Sequence, residues 1–90
     1  MNEDFFAKLK KQLEESTEWP TVYMFKFIVP ADNKKLALVE SLFSAQAKIS
    51  TRSSNKGKYI SVTGRVVMLS AAEVIEKYKE AAKIECLIAL

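Results

Sequence analysis

The sequence has no histidine, a single cysteine, two glycines and two prolines in 90 residues. Without histidine it lacks the commonest general base of enzymes, and one cysteine cannot form an intramolecular disulfide. Few glycines and prolines, with 49% hydrophobic residues, exclude a linker-rich or disordered chain. No apolar run is long enough to span a membrane, and residues 1–4 lack the basic start of a secretory signal. We therefore expect one small cytoplasmic domain.

The charge balance is mild, with 14 basic and 11 acidic residues and a formal net charge of +3. A balance of this size does not indicate nucleic-acid binding unless the basic residues cluster. One interval does concentrate them, because no acidic residue lies between Glu40 and Glu73. The function of the chain is therefore sought first in that interval.

Residues 47–69 predict a β-hairpin with a basic tip. Period-two alternation rich in β-branched residues is typical of a half-buried strand. The second strand has Ile60, Val62, Gly64, Val66 and Met68 on one face and Tyr59, Ser61, Thr63, Arg65 and Val67 on the other. Residues 47–53 alternate in the same way. Between the strands, Asn55 and Gly57 suit a turn, since both tolerate positive φ.

Helical spacing predicts three helices. In the first, over residues 3–14, Asn2 is the predicted cap. Its apolar stripe is Phe5, Phe6, Leu9 and Leu13. We expect this stripe to pack on its own domain or on a sister subunit rather than on a membrane. The second helix is predicted over 34–45, capped near Asp32. The third is predicted from a capping box at Ser70 and Glu73 to about residue 83, with Leu69 and Val74 as a hydrophobic staple.

Two further strands complete the pattern. Residues 21–29 place Tyr23, Phe25, Phe27 and Val29 on a core face, opposite Val22, Met24, Lys26 and Ile28. Residues 84–90 predict a last strand that is apolar on both faces, with Cys86 in the core. Such an edge strand needs a cover, either the N-terminal helix or a second subunit.

After the first helix, the element order is therefore βαββαβ. Two right-handed split crossovers joined by a hairpin predict an α+β, ferredoxin-like sandwich: a four-stranded antiparallel sheet with two helices on one face, plus the extra N-terminal helix. The predicted division is 1–15 for the N-terminal amphipathic helix and 18–90 for the ferredoxin-like domain.

Residues 18–90 resemble the YbeD-like domains of unknown function. The likeness rests on Ser53-Ser54, Lys56-Gly57, Tyr59 and Ser61-Val62 in the hairpin, with Trp19-Pro20-Thr21 and Lys83-Ile84-Glu85 at the ends of the domain. The resemblance implies a ferredoxin-like fold similar to the ACT regulatory domains of amino-acid metabolism, and no established biochemical activity.

The first functional hypothesis is a regulatory or protein-interaction module that self-associates as ACT domains do. Amino-acid-binding ACT domains usually carry Pro-Gly after an Asp or Asn where the first strand meets the first helix. This chain has Pro30-Ala31 there. The resemblance therefore implies the assembly but not the amino-acid site. The alternative is a monomer whose N-terminal helix folds over Val22, Met24 and Ile28.

The second hypothesis is an anion- or RNA-binding surface on the basic hairpin, where cations attract phosphate and Tyr59 offers a stacking platform. Its candidate residues are Lys48, Arg52, Ser54, Lys56, Gly57, Lys58, Tyr59, Ser61 and Arg65. An RNA-recognition motif needs more aromatic residues than Tyr59 on this face. The simpler interpretation is a solvated polar sheet face.

An enzyme is the least favoured hypothesis. Cys86 has no imidazole partner, and the sequence lacks metal-ligand clusters, a P-loop and nucleotide-binding glycines. Residues 62–66 are similar to the phosphate loop of acylphosphatases, but Arg65 falls within a strand. We therefore expect no catalysis, no cofactor and no metal, and a protein partner or self-association rather than nucleic acid or a membrane.

Overall fold

A computed structural model describes residues 1–90 and contains three helices and four strands. In chain order they are α1 (Glu3–Ser16), β1 (Thr21–Pro30), α2 (Asn33–Glu40), β2 (Lys48–Ser53), β3 (Tyr59–Met68), α3 (Ala71–Ala81) and β4 (Ile88–Ala89). The strands form one antiparallel sheet in the order β2-β3-β1-β4. The predicted ferredoxin-like arrangement with an extra N-terminal helix is confirmed.

The core lies between one face of the sheet and the helices. The alternation predicted for β1 is confirmed, since Phe25, Phe27 and Val29 are fully buried. They pack with Val62 of β3 and with residues of all three helices, namely Phe6, Val39, Val74, Ile75, Tyr78 and Ala81. Aromatic side chains dominate this cluster, and the rings of Phe25 and Tyr78 meet edge to face at 5.3 Å. The central strand β1 is therefore held by aromatic packing.

Helix α1 begins where the sequence predicts, with the Asn2 side chain accepting a hydrogen bond from the Phe5 N–H at 2.9 Å. It packs against α3 and contributes Phe6 to the common core. The alternative in which this helix covers the outer side of β1 is therefore wrong. On that side, Val22 is 64% and Met24 is 52% exposed.

Helix α3 begins at the predicted capping box. The Ser70 hydroxyl accepts from the Glu73 N–H at 3.2 Å, and the Glu73 carboxylate accepts from the Leu69 N–H at 2.7 Å. The return bond thus reaches one residue beyond the cap. The predicted staple is wrong, because Leu69 is 66% exposed while Val74 is fully buried.

Three predicted elements are shorter in the structure. Helix α2 ends at Glu40 rather than residue 45. After it the chain turns more tightly, because the N–H groups of Leu42 and Phe43 donate to the carbonyls three residues earlier instead of four. Helix α3 ends at Ala81, and β4 spans only Ile88–Ala89. In the turn between them, Cys86 is exposed with φ 66°, so its predicted place in the core is wrong.

Gly64 is a packing requirement rather than a turn residue. It lies in mid-strand on the buried face of β3, and the Phe43 ring covers it. A Cβ built at this position would stand 2.5 Å from both Cε1 and Cζ of that ring. Only glycine, whose side chain is a hydrogen atom, leaves room for the Phe43 ring at this position.

We expect Gly64→Ala to lower the free energy of unfolding by about 1–3 kcal/mol, the usual cost of overpacking a core. Urea denaturation measures this. The double variant with Phe43→Leu should lose less than the sum of the two single variants, because the smaller side chain relieves the collision. Additive losses would contradict the role assigned to the ring.

The hydroxyls of Tyr23 and Tyr78 form a hydrogen bond of 3.0 Å between β1 and α3. Burial, reinforced by this bond, raises the pKa of Tyr78 above the usual value of about 10. The fold therefore keeps the Tyr78 hydroxyl protonated to a higher pH than the unfolded chain does. It is the one side-chain hydrogen bond between β1 and α3.

Replacing Tyr78 by Phe should cost about 1 kcal/mol at neutral pH, because the bond to Tyr23 is lost. Above about pH 10 the unfolded wild-type chain ionises Tyr78 while the fold holds the proton. The wild type therefore loses stability with rising pH through this group, and Tyr78→Phe does not. Urea unfolding at pH 8 and near pH 11 compares them, and parallel losses would refute this assignment.

Candidate binding surface

The side of the sheet that faces away from the helices is here called the open face. Its outward side chains are Val22, Met24, Lys26 and Ile28 of β1, Lys48, Ser50 and Arg52 of β2, Tyr59, Ser61, Thr63, Arg65 and Val67 of β3, and Ile88 of β4. Four of these residues are basic. All 11 acidic residues of the chain lie outside the four strands, in helices, caps and turns. The open face is therefore uniformly positive.

The strand register orders this face into rows. Arg65 is paired with Lys48 on one side and with Met24 on the other, and its guanidinium lies 3.9 Å from the Met24 sulfur. The next row joins Ser50, Thr63 and Lys26. Like charges directly opposite each other destabilise a sheet, so the pairing of Lys48 with Arg65 has an energetic cost.

The candidate residues predicted from the sequence fall into two groups along the hairpin. Lys48 and Arg65 lie together at one end, whereas Arg52 lies near Ser61 and Tyr59 at the other. Arg52 is four residue steps along the strand from Lys48, or about 13 Å. The turn residues Lys56 and Lys58 lie beyond the second group, and both are exposed. The cations therefore line the hairpin rather than converge on one point.

Two of the predicted site residues have structural roles. The Ser54 hydroxyl accepts from the Tyr59 N–H at 3.1 Å, and the Ser54 N–H donates to the Tyr59 carbonyl at 2.9 Å. Gly57 has φ 68° and completes the turn, whereas Asn55 does not adopt positive φ. Ser54 and Gly57 thus shape the tip of the hairpin.

A depression of about 310 Å³ lies in the middle of the open face, and all six residues that line it are polar: Lys26, Ser50, Thr51, Arg52, Ser61 and Thr63. Lys26, Ser50, Thr51 and Thr63 are absent from the residues predicted as a site. The available signal was the alternation of β1, which turns Lys26 outward. Only the pairing of β1 with β3 brings Lys26 beside Thr63.

Apolar side chains occupy the rest of the open face. Val22 and Val67 are paired across β1 and β3 and are 64% and 57% exposed. At the far corner Ile88 is 53% exposed beside Ile28. The open face therefore combines exposed apolar side chains with cations.

No three cysteine, aspartate or glutamate side chains lie close enough together to hold a metal ion. None of the helices is both long and apolar enough to cross a membrane.

Comparison with known proteins identifies the family. Residues 14–89 match the family described as "Protein of unknown function (DUF493)", and the chain belongs to it. It is 31% identical over 81 residues to a protein named "UPF0250 protein" from Shewanella piezotolerans, a match covering 86% of this chain and 92% of that protein. No solved structure matches the chain. The predicted YbeD-like membership is confirmed, and the family description names no activity.

The paired cations of the open face allow a test of their cost. Lys48→Thr removes one of two like charges and adds a good strand former, so we expect the free energy of unfolding to rise by about 0.5 kcal/mol at low salt. The gain should shrink at high salt, where screening already weakens the repulsion. Chemical denaturation at both salt concentrations measures it. Lys58→Thr, in the exposed turn, is the control, and an equal salt-dependent gain there would contradict a pair-specific repulsion.

Proposed function

We propose that this chain is a non-catalytic protein-interaction module that binds an acidic partner protein through the open face. One observation carries the proposal: the sheet presents four cations, Lys26, Lys48, Arg52 and Arg65, and none of the 11 acidic residues. Such a face attracts an acidic surface and steers its approach. The exposed apolar side chains between the cations supply contact area.

The repulsion between Lys48 and Arg65 supports the same proposal. An isolated sheet gains nothing from two cations placed opposite each other. A carboxylate of a partner protein placed between them would remove the repulsion and form charge-assisted hydrogen bonds to both. The cost in the free chain would thus be offset on binding. A second copy stacked face to face would instead oppose cations with cations, so the open face is suited to a different protein.

A second candidate is an anion- or RNA-binding module, favoured by one observation. The polar depression adjoins another of about 380 Å³ that includes Tyr59, and the two share Arg52 and Ser61. Cations beside a half-exposed tyrosine ring can hold a phosphate and stack a base. Tyr59 is the single aromatic residue on this face, which makes this candidate second to protein binding.

The test uses the double reversal Lys26→Glu with Arg52→Glu. Tagged wild-type protein is used at low salt to capture partners from its own cells, and the affinity of the identified partner is then measured. We expect the reversal to weaken that affinity at least tenfold, and rising salt to weaken the wild type. The matched control, Lys10→Glu with Lys11→Glu on α1, changes the net charge equally and should bind as the wild type does.

Equal weakening by both double variants would mean that overall charge, and not the open face, governs binding. A partner bound equally well by all three proteins would place the interface elsewhere and refute the proposal. Binding that disappears after ribonuclease treatment would support the second candidate in place of the first.

A further inference from the structure

The sheet is only two strands wide at one end. Strand β4 pairs with β1 at Phe27 and Ile28 alone, and β2 reaches no further along β3 than Arg65. Residues 21–25 of β1 therefore have β3 on one side and no strand on the other. At this end Val22 and Met24 are 64% and 52% exposed, so no other element covers them.

Hydrogen-bond alternation identifies which backbone groups face the free edge of β1. The Lys26 carbonyl accepts from the Leu90 N–H at 2.9 Å, which shows that Lys26 faces the β4 side. Alternate residues of a strand present their N–H and C=O groups to the same side. Val22 and Met24 therefore present theirs to the free edge, where no backbone partner meets them. This edge has two unpaired donors and two unpaired acceptors.

We propose that a second copy of this chain pairs antiparallel with the first along this edge, about a two-fold axis at Tyr23. In that register Val22 of each copy lies opposite Met24 of the other, and each such pair exchanges both hydrogen bonds. Four backbone hydrogen bonds form, and the two unpaired residues on each side satisfy each other. The edge is thus complementary to itself, as a two-fold interface requires.

Charge and side-chain type favour this edge over the other free backbone edges of the sheet, of which the outer side of β2 is the longest. Residues 21–25 carry no charge, and the pairing brings exposed Val22 against exposed Met24 on the open face. The outer side of β2 belongs to a strand that carries Lys48 and Arg52, and the free end of β3 offers only Val67 beside Lys48 and Arg65. A copy docking at either place would bring cations together. A second copy therefore fits the β1 edge and is repelled from the β3 edge.

The dimer would be one continuous eight-stranded sheet. Paired residues of neighbouring strands turn their side chains to the same side, so both open faces would lie on the same side of that sheet. This inference goes beyond the proposed function, because it concerns an edge and not the face. It also adds to that function, since two open faces held together bind an extended acidic partner more tightly than one.

The test is sedimentation of purified protein over a range up to high micromolar concentration, the range where so short a strand pairing should associate. Wild type should show a reversible monomer–dimer equilibrium. Val22→Pro deletes an N–H that only the second copy uses and should raise the dissociation constant at least tenfold. Val67→Pro is the matched control, because it removes an equally exposed, unpaired N–H from the opposite edge, and it should dimerise as the wild type does. Met24→Lys, which leaves the backbone unchanged, should weaken dimerisation too.

Circular dichroism establishes that each variant is folded. Wild type that remains monomeric at every concentration overturns the proposal. So does a dimer that survives both Val22→Pro and Met24→Lys, or one that only Val67→Pro disrupts. These measurements need no partner protein, so their failure leaves the proposed function of the open face standing.

Discussion

The packing of β1 against α3 is the interaction on which the rest of the structure depends. Phe25 and Phe27 are fully buried beneath the sheet, and Tyr78 meets both rings edge to face while its hydroxyl forms a hydrogen bond with that of Tyr23. Since side chains of a strand alternate, these rings commit every second residue of β1 to the opposite side. The exposure of Val22, Met24 and Lys26 is thus a direct consequence of the aromatic core.

The same constraint separates the charges of the molecule. The helices carry eight of the 11 acidic residues together with seven lysines, while every charged residue of the strands is a cation. A small net charge of +3 therefore conceals a strong asymmetry between the two sides of the protein. The net charge is therefore a poor guide to what such a chain binds, because it does not show which side of the fold carries the positive residues and which the negative ones.

The fold was predictable from the sequence because its strongest signals are local. The alternation of β1 and β3, the caps at Asn2 and Ser70 and the turn at Gly57 each depend on a few neighbouring residues. Element ends were less predictable. The apolar residues Leu42 and Phe43 continue the helical spacing of the sequence, but the helix ends at Glu40. The Phe43 ring nevertheless packs against Gly64. Apolar composition likewise predicted a long last strand and a buried Cys86, but only Ile88 and Ala89 pair with β1.

The candidate surface was half predictable, for a related reason. The hairpin cations could be identified because they are close in sequence and free of nearby acids. Lys26 could not, since it reaches the polar depression only through pairing between β1 and β3, some 37 residues apart at Lys26 and Thr63. Long-range register also determines which residues of β1 lie beside β4, since Phe27 and Ile28 are the ones that pair with it. The alternation of side chains along the strands determines which residues form the open face. The length of β4 determines which part of the β1 edge is unpaired. The charge that would attract a different protein lies on the face, and the backbone groups that would pair with a second copy lie at the edge, so the two proposed contacts do not compete.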